Sequence, residues 1–269
     1  MNAAENQSLH PGLRLFSVGV LVVLLVGAGL FVAPELVKPR WPWAVTPFNS
    51  RFLGGFYIAE MAGMAALLLW NRWSPARLIL VMALVFTLVA TVASLLNLEI
   101  FNLQRKSTWA WFGAYGLSIV VSAVALWLTR ERPAVNNLAV GGSDRVWLQA
   151  ETLLLFLYGI ALLVLPAFAT SFWPWPIDTF HAQVYSAVFL SGAAGVCLLW
   201  RSPAREEMLV LGTAELIFGA LAVIGMLMTN AVVNKIVWSQ GTIAWVAIFA
   251  AMTISGVRKI QMGLASDRR

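Results

Sequence analysis

The sequence predicts an all-α fold: an integral membrane protein of eight transmembrane helices, built as two parallel four-helix repeats. Three observations carry this reading. Apolar runs of membrane-spanning length recur along the whole chain. The triplet Trp41-Pro42-Trp43 returns as Trp173-Pro174-Trp175, 132 residues later. Each copy holds four runs, an even number, so both copies enter the bilayer from the same side.

Composition sets the class. Of 269 residues, 60% are hydrophobic and 11% charged, with a mean hydropathy of +0.81. Soluble domains carry about 25% charged residues. A helix needs about 20 apolar residues to cross the hydrocarbon core, and such runs leave no room for a sizeable soluble domain. The net charge of +6 sits in short segments beside the runs. That is the pattern of cytoplasmic loops rather than of a nucleic-acid surface. The single cysteine, Cys197, cannot form an internal disulfide. Both histidines, His10 and His181, fall outside the expected spans, which argues against a bis-histidine haem in the membrane. No phosphate loop, dinucleotide fingerprint or His-Glu-x-x-His spacing occurs. No cofactor or metal is expected, and the chain does not read as an enzyme.

Taken in order, residues 1–13 are polar. The first span, 15–33, follows Arg14. A basic residue before an apolar run can mark a signal peptide. This run is long for a signal core and has a counterpart in the second half, so a retained helix is expected. The other spans read as 52–70, 78–98, 109–129, 147–169, 184–200, 208–229 and 238–257.

The halves align piece by piece. Pro34 and Trp41 match Pro166 and Trp173, and Gly27 matches Gly159. Ser74-Pro75-Ala76-Arg77 returns as Ser202-Pro203-Ala204-Arg205, at an offset of 128. The division is a first repeat over 1–129, a polar cytoplasmic linker over 130–145 with Pro133, Asn136 and Asn137, and a second repeat over 146–269. Lys and Arg number twelve on the side of the termini and six on the side of the Trp-Pro-Trp segments. That bias places both termini in the cytoplasm.

Twelve of the thirteen tryptophans lie near expected span ends, where a belt of indoles at headgroup level accounts for most of them. Proline breaks the helix at each Trp-Pro-Trp, so the motif is expected as a short turn laying its indoles along the outer surface. Ser-Pro-Ala-Arg reads as a helix start, with Ser as cap and Pro at the first helical position. The two segments Trp41-Pro42-Trp43-Ala44-Val45-Thr46-Pro47-Phe48 and Trp173-Pro174-Trp175-Pro176-Ile177-Asp178-Thr179-Phe180 resemble uncharacterised bacterial multi-pass membrane proteins with Trp-Pro-Trp-Pro-Leu-Thr-like segments. The resemblance spans about thirty residues per half; it implies a bacterial plasma membrane and no activity, cofactor or catalytic residue.

Two features inside the spans point to packing and chemistry. Gly55, Ala59 and Gly63 in span two match Ala187, Ser191 and Gly195 in span six, both at i, i+4, i+8. Small residues on one face let membrane helices approach closely, so these are expected helix-packing seams, facing each other across the pseudo-axis. Glu60 in span two and Glu215 in span seven are lone acids in mid-span, with no Lys or Arg in any expected span centre. An ionised carboxylate there costs several kcal/mol, so each is expected to be protonated or to hold a cation. Tyr57, one turn before Glu60, is expected to hydrogen-bond to it. Gly212 and Gly219 flank Glu215 and predict a close helix neighbour. Glu151 lies nearer a span end, beside water. Neither mid-span acid is doubled: Glu60 matches Gly192, and Glu215 matches Thr87.

The leading expectation is a small-solute or ion transporter, permease-like, with a pocket between the repeats and Glu60, Glu215 and Tyr57 as proton- or ligand-binding groups. The alternative is a structural or accessory membrane protein that binds lipid or a protein partner. Expected partners are the bilayer, a small solute or ion, and a protein partner or second copy; nucleic acid is not among them.

Overall fold

A computed structural model describes residues 7–132 and 138–265. The linker residues Pro133, Asn136 and Asn137 and the terminal Arg268 and Arg269 lie outside the described residues. Eight helices are long and apolar enough to cross a membrane, as the hydropathy predicts. In chain order the helices are α1 (Pro11–Val32), α2 (Pro34–Val37), α3 (Pro47–Trp70), α4 (Trp73–Leu96), α5 (Lys106–Leu128), α6 (Gly142–Val164), α7 (Pro166–Ala169), α8 (Thr179–Arg201), α9 (Arg205–Val233) and α10 (Gln240–Ala265). The short α2 and α7 follow α1 and α6 because Pro34 and Pro166 cannot continue a helix. Proline at the start of α3 and a side-chain cap at each second span fix the next entry. Thr46 Oγ1 accepts from the Asn49 amide, and at the matching position Asp178 Oδ1 accepts from the His181 amide. The helices α3 and α9 end at Asn71 and Asn234, the two described non-glycine residues with positive φ; asparagine tolerates that left-handed stop.

Contacts repeat between the halves. Helix α1 packs on α3 and α6 on α8; α4 packs on α5 and α9 on α10. Across the middle, α3 packs on α9 and α4 on α8. Each half therefore presents its second span to the third span of the other. The seams serve this contact. A Cβ on Gly55 would meet Leu221 at 3.2 Å, one on Gly63 would meet Val210 at 3.4 Å, and one on Gly195 would meet Met82 of α4 at 2.8 Å. The seam glycines thus face span three of the opposite half rather than forming the axis with one another. Lipid is as apolar as leucine, so close approach, not hydrophobic burial, holds such helices together.

The Trp-Pro-Trp segments depart from expectation. Trp41, Trp43, Trp173 and Trp175 are buried, Trp43 to 1% exposure; they do not lie along the surface. Each second indole reaches into the other half. Trp43 Nε1 donates to His181 Nε2 at 3.1 Å, and Trp175 Nε1 donates to Asn49 Oδ1 at 2.8 Å. Asn49 and His181 are matching positions, so the two bonds are one exchange made twice. Trp43 packs edge-on against Phe180 and Trp175 stacks on Phe48, again a matching pair. A buried indole N–H needs an acceptor, and the opposite half supplies it. Trp111 and Trp245 also turn inward onto these clusters. The exposed Trp109, Trp127 and Trp238 keep the positions of a surface belt.

At the end carrying the termini, a second clasp joins the halves. Arg77 of α4 donates from Nε to Glu207 Oε1 at 2.9 Å and from Nη2 to Oε2 at 2.6 Å. It also reaches Ser202 Oγ and its carbonyl oxygen. Ser-Pro-Ala-Arg does not act as expected: α4 begins at Trp73, before Ser74, and α9 begins only at Arg205, with Ser202 closing α8. In the first copy, the arginine of this motif spans the interface.

Candidate functional site

Glu60 lies ten residues from the end of α3, and Glu215 ten residues from the start of α9. At 1.5 Å per residue each is about 15 Å from its helix end, near the midplane. The pairing of α3 with α9 brings them together: both line a chamber of about 40 Å³ between the halves, with Ser191 and Gly192 of α8 in its wall. The space is large enough for one water, and Glu60, Glu215 and Ser191 are the polar side chains in its otherwise apolar wall. A further void of about 20 Å³ lies on the side of Glu60 toward the termini, between α3, α4 and α9.

The two acids differ in their partners. Glu215 is 7% exposed and accepts from Lys259 Nζ through Oε2. Its Oε1 is buried without a hydrogen-bond partner. Lys259 is fully buried and uses all three ammonium protons: on Glu215, on Glu151 Oε2 at 2.6 Å, and on Ser255 Oγ at 2.9 Å. Ser255 in turn donates to Glu151 Oε1 at 2.7 Å and accepts from Trp147 Nε1 at 3.1 Å. Glycines set this geometry. A Cβ on Gly212 would lie 2.7 Å from the Gly256 carbonyl oxygen, and one on Gly256 would lie 2.5 Å from that of Gly212. Helices α9 and α10 therefore cross at backbone contact, which brings Lys259 against Glu215. Gly219 has its close neighbour in α10 too, at Phe249 and Thr253.

This network corrects the expectation that no cation lies inside the spans. The apolar pattern fades at Val257, and Arg258-Lys259 reads as a basic span end. Helix α10 runs on to Ala265. Arg258 points to the rim and pairs with Asp144 at 2.7 Å, while Lys259 turns inward. Glu151, expected beside water, is held in the same buried pair. The available signal is Ser255 and Gly256, four and three residues before Lys259. A cation on a face of small residues is aimed at a neighbouring helix.

Glu60 has no hydrogen-bond partner among the described residues. Tyr57 does not bond to it; the Tyr57 hydroxyl pairs with that of Tyr115 at 3.2 Å. Besides the chamber, Glu60 lines a cavity of about 350 Å³ bounded mainly by α1, α3, α4 and α5, mostly apolar, with Tyr57, Thr87, Tyr115, Ser118 and Ser191 also in its wall. In the second half a cavity of about 380 Å³ occupies the related place among α6, α8 and α10, with Glu151 and Ser255 in its wall. Leu155 and Met252 separate it from the chamber, lining both.

The order across the molecule is therefore first cavity, Glu60, chamber, Glu215, Lys259, Glu151, second cavity. Three carboxylates face one ammonium, so two are in excess. In a low-dielectric interior that excess must be met by protons or cations. No group of three or more histidine, cysteine or acidic residues arranged to hold a metal occurs among the described residues. Set against known proteins, the chain matches no family, no curated protein and no solved structure.

Proposed function

We propose that the protein is a small-solute or ion transporter of permease type, with its pathway between the two halves and Glu60 and Glu215 as protonatable groups. What carries the reading is that these two acids, one from each half, line a single small chamber near the midplane whose wall is otherwise mostly apolar. The excess of two carboxylates makes the site a receiver of protons or cations. Lys259, held between Glu215 and Glu151, links the chamber to the second cavity by hydrogen bonds. The duplicated architecture fits a pathway on the pseudo-axis, as in transporters built from parallel repeats. This reading has both termini in the cytoplasm and the Trp-Pro-Trp segments outside, supported by the charge bias, and the protein in a bacterial plasma membrane; no enzymatic step is assigned.

The test is proton flux. Liposomes holding the purified protein and an internal pH-sensitive dye are given a pH jump. Wild type is expected to dissipate the gradient, and Glu60→Gln and Glu215→Gln to fall toward the rate of protein-free liposomes. Wild-type flux equal to that of protein-free liposomes, or unaltered flux in both variants, would sink the proposal. The second reading, an accessory protein that binds lipid, is favoured by one observation: the large cavities are apolar and open among exposed apolar side chains. It predicts co-purifying lipid and indifference to Glu60→Gln.

A further inference from the structure

The two halves solve the same electrostatic problem differently. Trp111 and Trp245 hold matching places on the tryptophan clusters, which aligns α5 with α10 at an offset of 134. Lys259 then matches Ala125, and Glu151 matches Gly19 at the offset of 132. Both halves keep a cavity in their cleft, but the second lines its own with a carboxylate, Glu151, and has an internal ammonium to meet it. The first half has small residues at both positions, an open cavity, and a carboxylate of its own, Glu60, where the second half has Gly192. What is missing beside Glu60 is the ammonium.

We infer that the cleft between α1 and α5 binds a lipophilic amine drawn from the bilayer, its ammonium on Glu60 as Lys259 sits on Glu151 and Glu215. This rests on the transporter reading and names the substrate class for it.

The shape suits such a ligand. Helix α1 packs on α3 and α5 on α4, leaving a gap between α1 and α5. Val23 and Leu117 line the cavity yet are 45% and 56% exposed, so its mouth lies among lipid-facing side chains. Past Phe16 the cavity adjoins a crevice of about 460 Å³ that follows α1 and α5 toward the termini, lined by Leu13, Val120 and Val124. An alkyl chain fits along the apolar part of that crevice, short of the end where His10, Thr129 and Arg132 line it. An anionic head group would meet Glu60 with like charge, and a neutral lipid would leave the carboxylate's need unmet. A charge-assisted hydrogen bond from an ammonium answers it.

The test is equilibrium binding of radiolabelled dodecylamine to the protein in phosphatidylcholine nanodiscs, with protein-free nanodiscs as background. Wild type is expected to show saturable binding that N-acetyl-dodecylamine does not compete. Glu60→Gln should weaken it by about tenfold or more, the scale of a charge-assisted bond. Gly19→Leu provides a second variant. A Cβ there meets nothing within 4 Å, so the side chain fills the cleft without disturbing the fold, and binding should also weaken. Wild-type affinity in both variants, or equal competition by the N-acetyl compound, would overturn the inference. Amine binding without proton flux would leave this ligand standing and remove the transport reading. Flux with no amine binding would do the reverse.

Discussion

The first and second halves share a backbone plan and differ in what they do with buried charge. In the second, Glu215, Glu151, Lys259, Ser255 and Trp147 form one hydrogen-bonded group in which every ammonium proton has an acceptor. In the first, Glu60 stands at the junction of an open cavity and the central chamber with no protein donor. The difference teaches that the second half meets its buried acids with a cation of its own, although Glu215 Oε1 stays without a hydrogen-bond partner. The acid of the first half has no hydrogen-bond partner among the described residues, and the proposed ligand is what would supply one. Breaking the two should have unlike consequences.

The largest effect is expected at Lys259. Lys259→Met leaves Glu151 and Glu215 without their shared cation, and losing one partner of a buried pair costs about 3–5 kcal/mol. Thermal unfolding in nanodiscs at neutral pH reads this directly. Glu60→Gln removes no protein hydrogen bond and should move stability by less than about 1 kcal/mol. Equal losses in the two variants would erase the distinction between the halves.

The tryptophan exchange sharpens the comparison from the symmetric side. Trp43→Phe strands His181 Nε2 and Trp175→Phe strands Asn49 Oδ1. A buried polar atom left unmatched costs about 1–3 kcal/mol, and the two losses should be similar. A cost confined to one variant would mean that the clasp is reciprocal in position only.

The smallest effect concerns Asp178, outside the spans. Burial alone would push its carboxyl up. Hydrogen bonds from the His181 ring, at 2.6 Å, and from the His181 backbone outweigh that and hold it below its ordinary 3.8. Because the folded value is depressed, the stabilisation is complete above pH 3.8 and fades as pH falls through the folded value. Asp178→Ala should lose about 1 kcal/mol as a helix cap at neutral pH and show a flatter stability profile below pH 4 than wild type. A profile that keeps its acid slope would assign that slope to other groups.

Much of this was legible in the sequence, and the reasons for the rest are physical. Eight spans follow from hydropathy because lipid imposes length and apolarity on every helix. Glu60 and Glu215 stand out because a lone acid in an apolar run is costly. Lys259 does not, because its neighbour Arg258 really does belong to the rim and masks it; which of two adjacent cations turns inward depends on the Gly212–Gly256 crossing. The inward tryptophans were hidden for a similar reason. An indole near a span end fits a headgroup belt, and the distant acceptors that hold Trp43 and Trp175 in the interior, His181 and Asn49 on the other half, are not visible in local spacing. The Tyr57–Tyr115 pair joins residues 58 apart, beyond the reach of any local spacing.

The crossed indoles carry a consequence for how such a chain could arise. Neither half holds the acceptor for its own second tryptophan, so neither is a self-sufficient bundle. A single ancestral copy would have met that need only by a handshake with a second molecule of itself. Carried in one chain, the two halves make that handshake with a partner that is always present, at whatever concentration the protein is found.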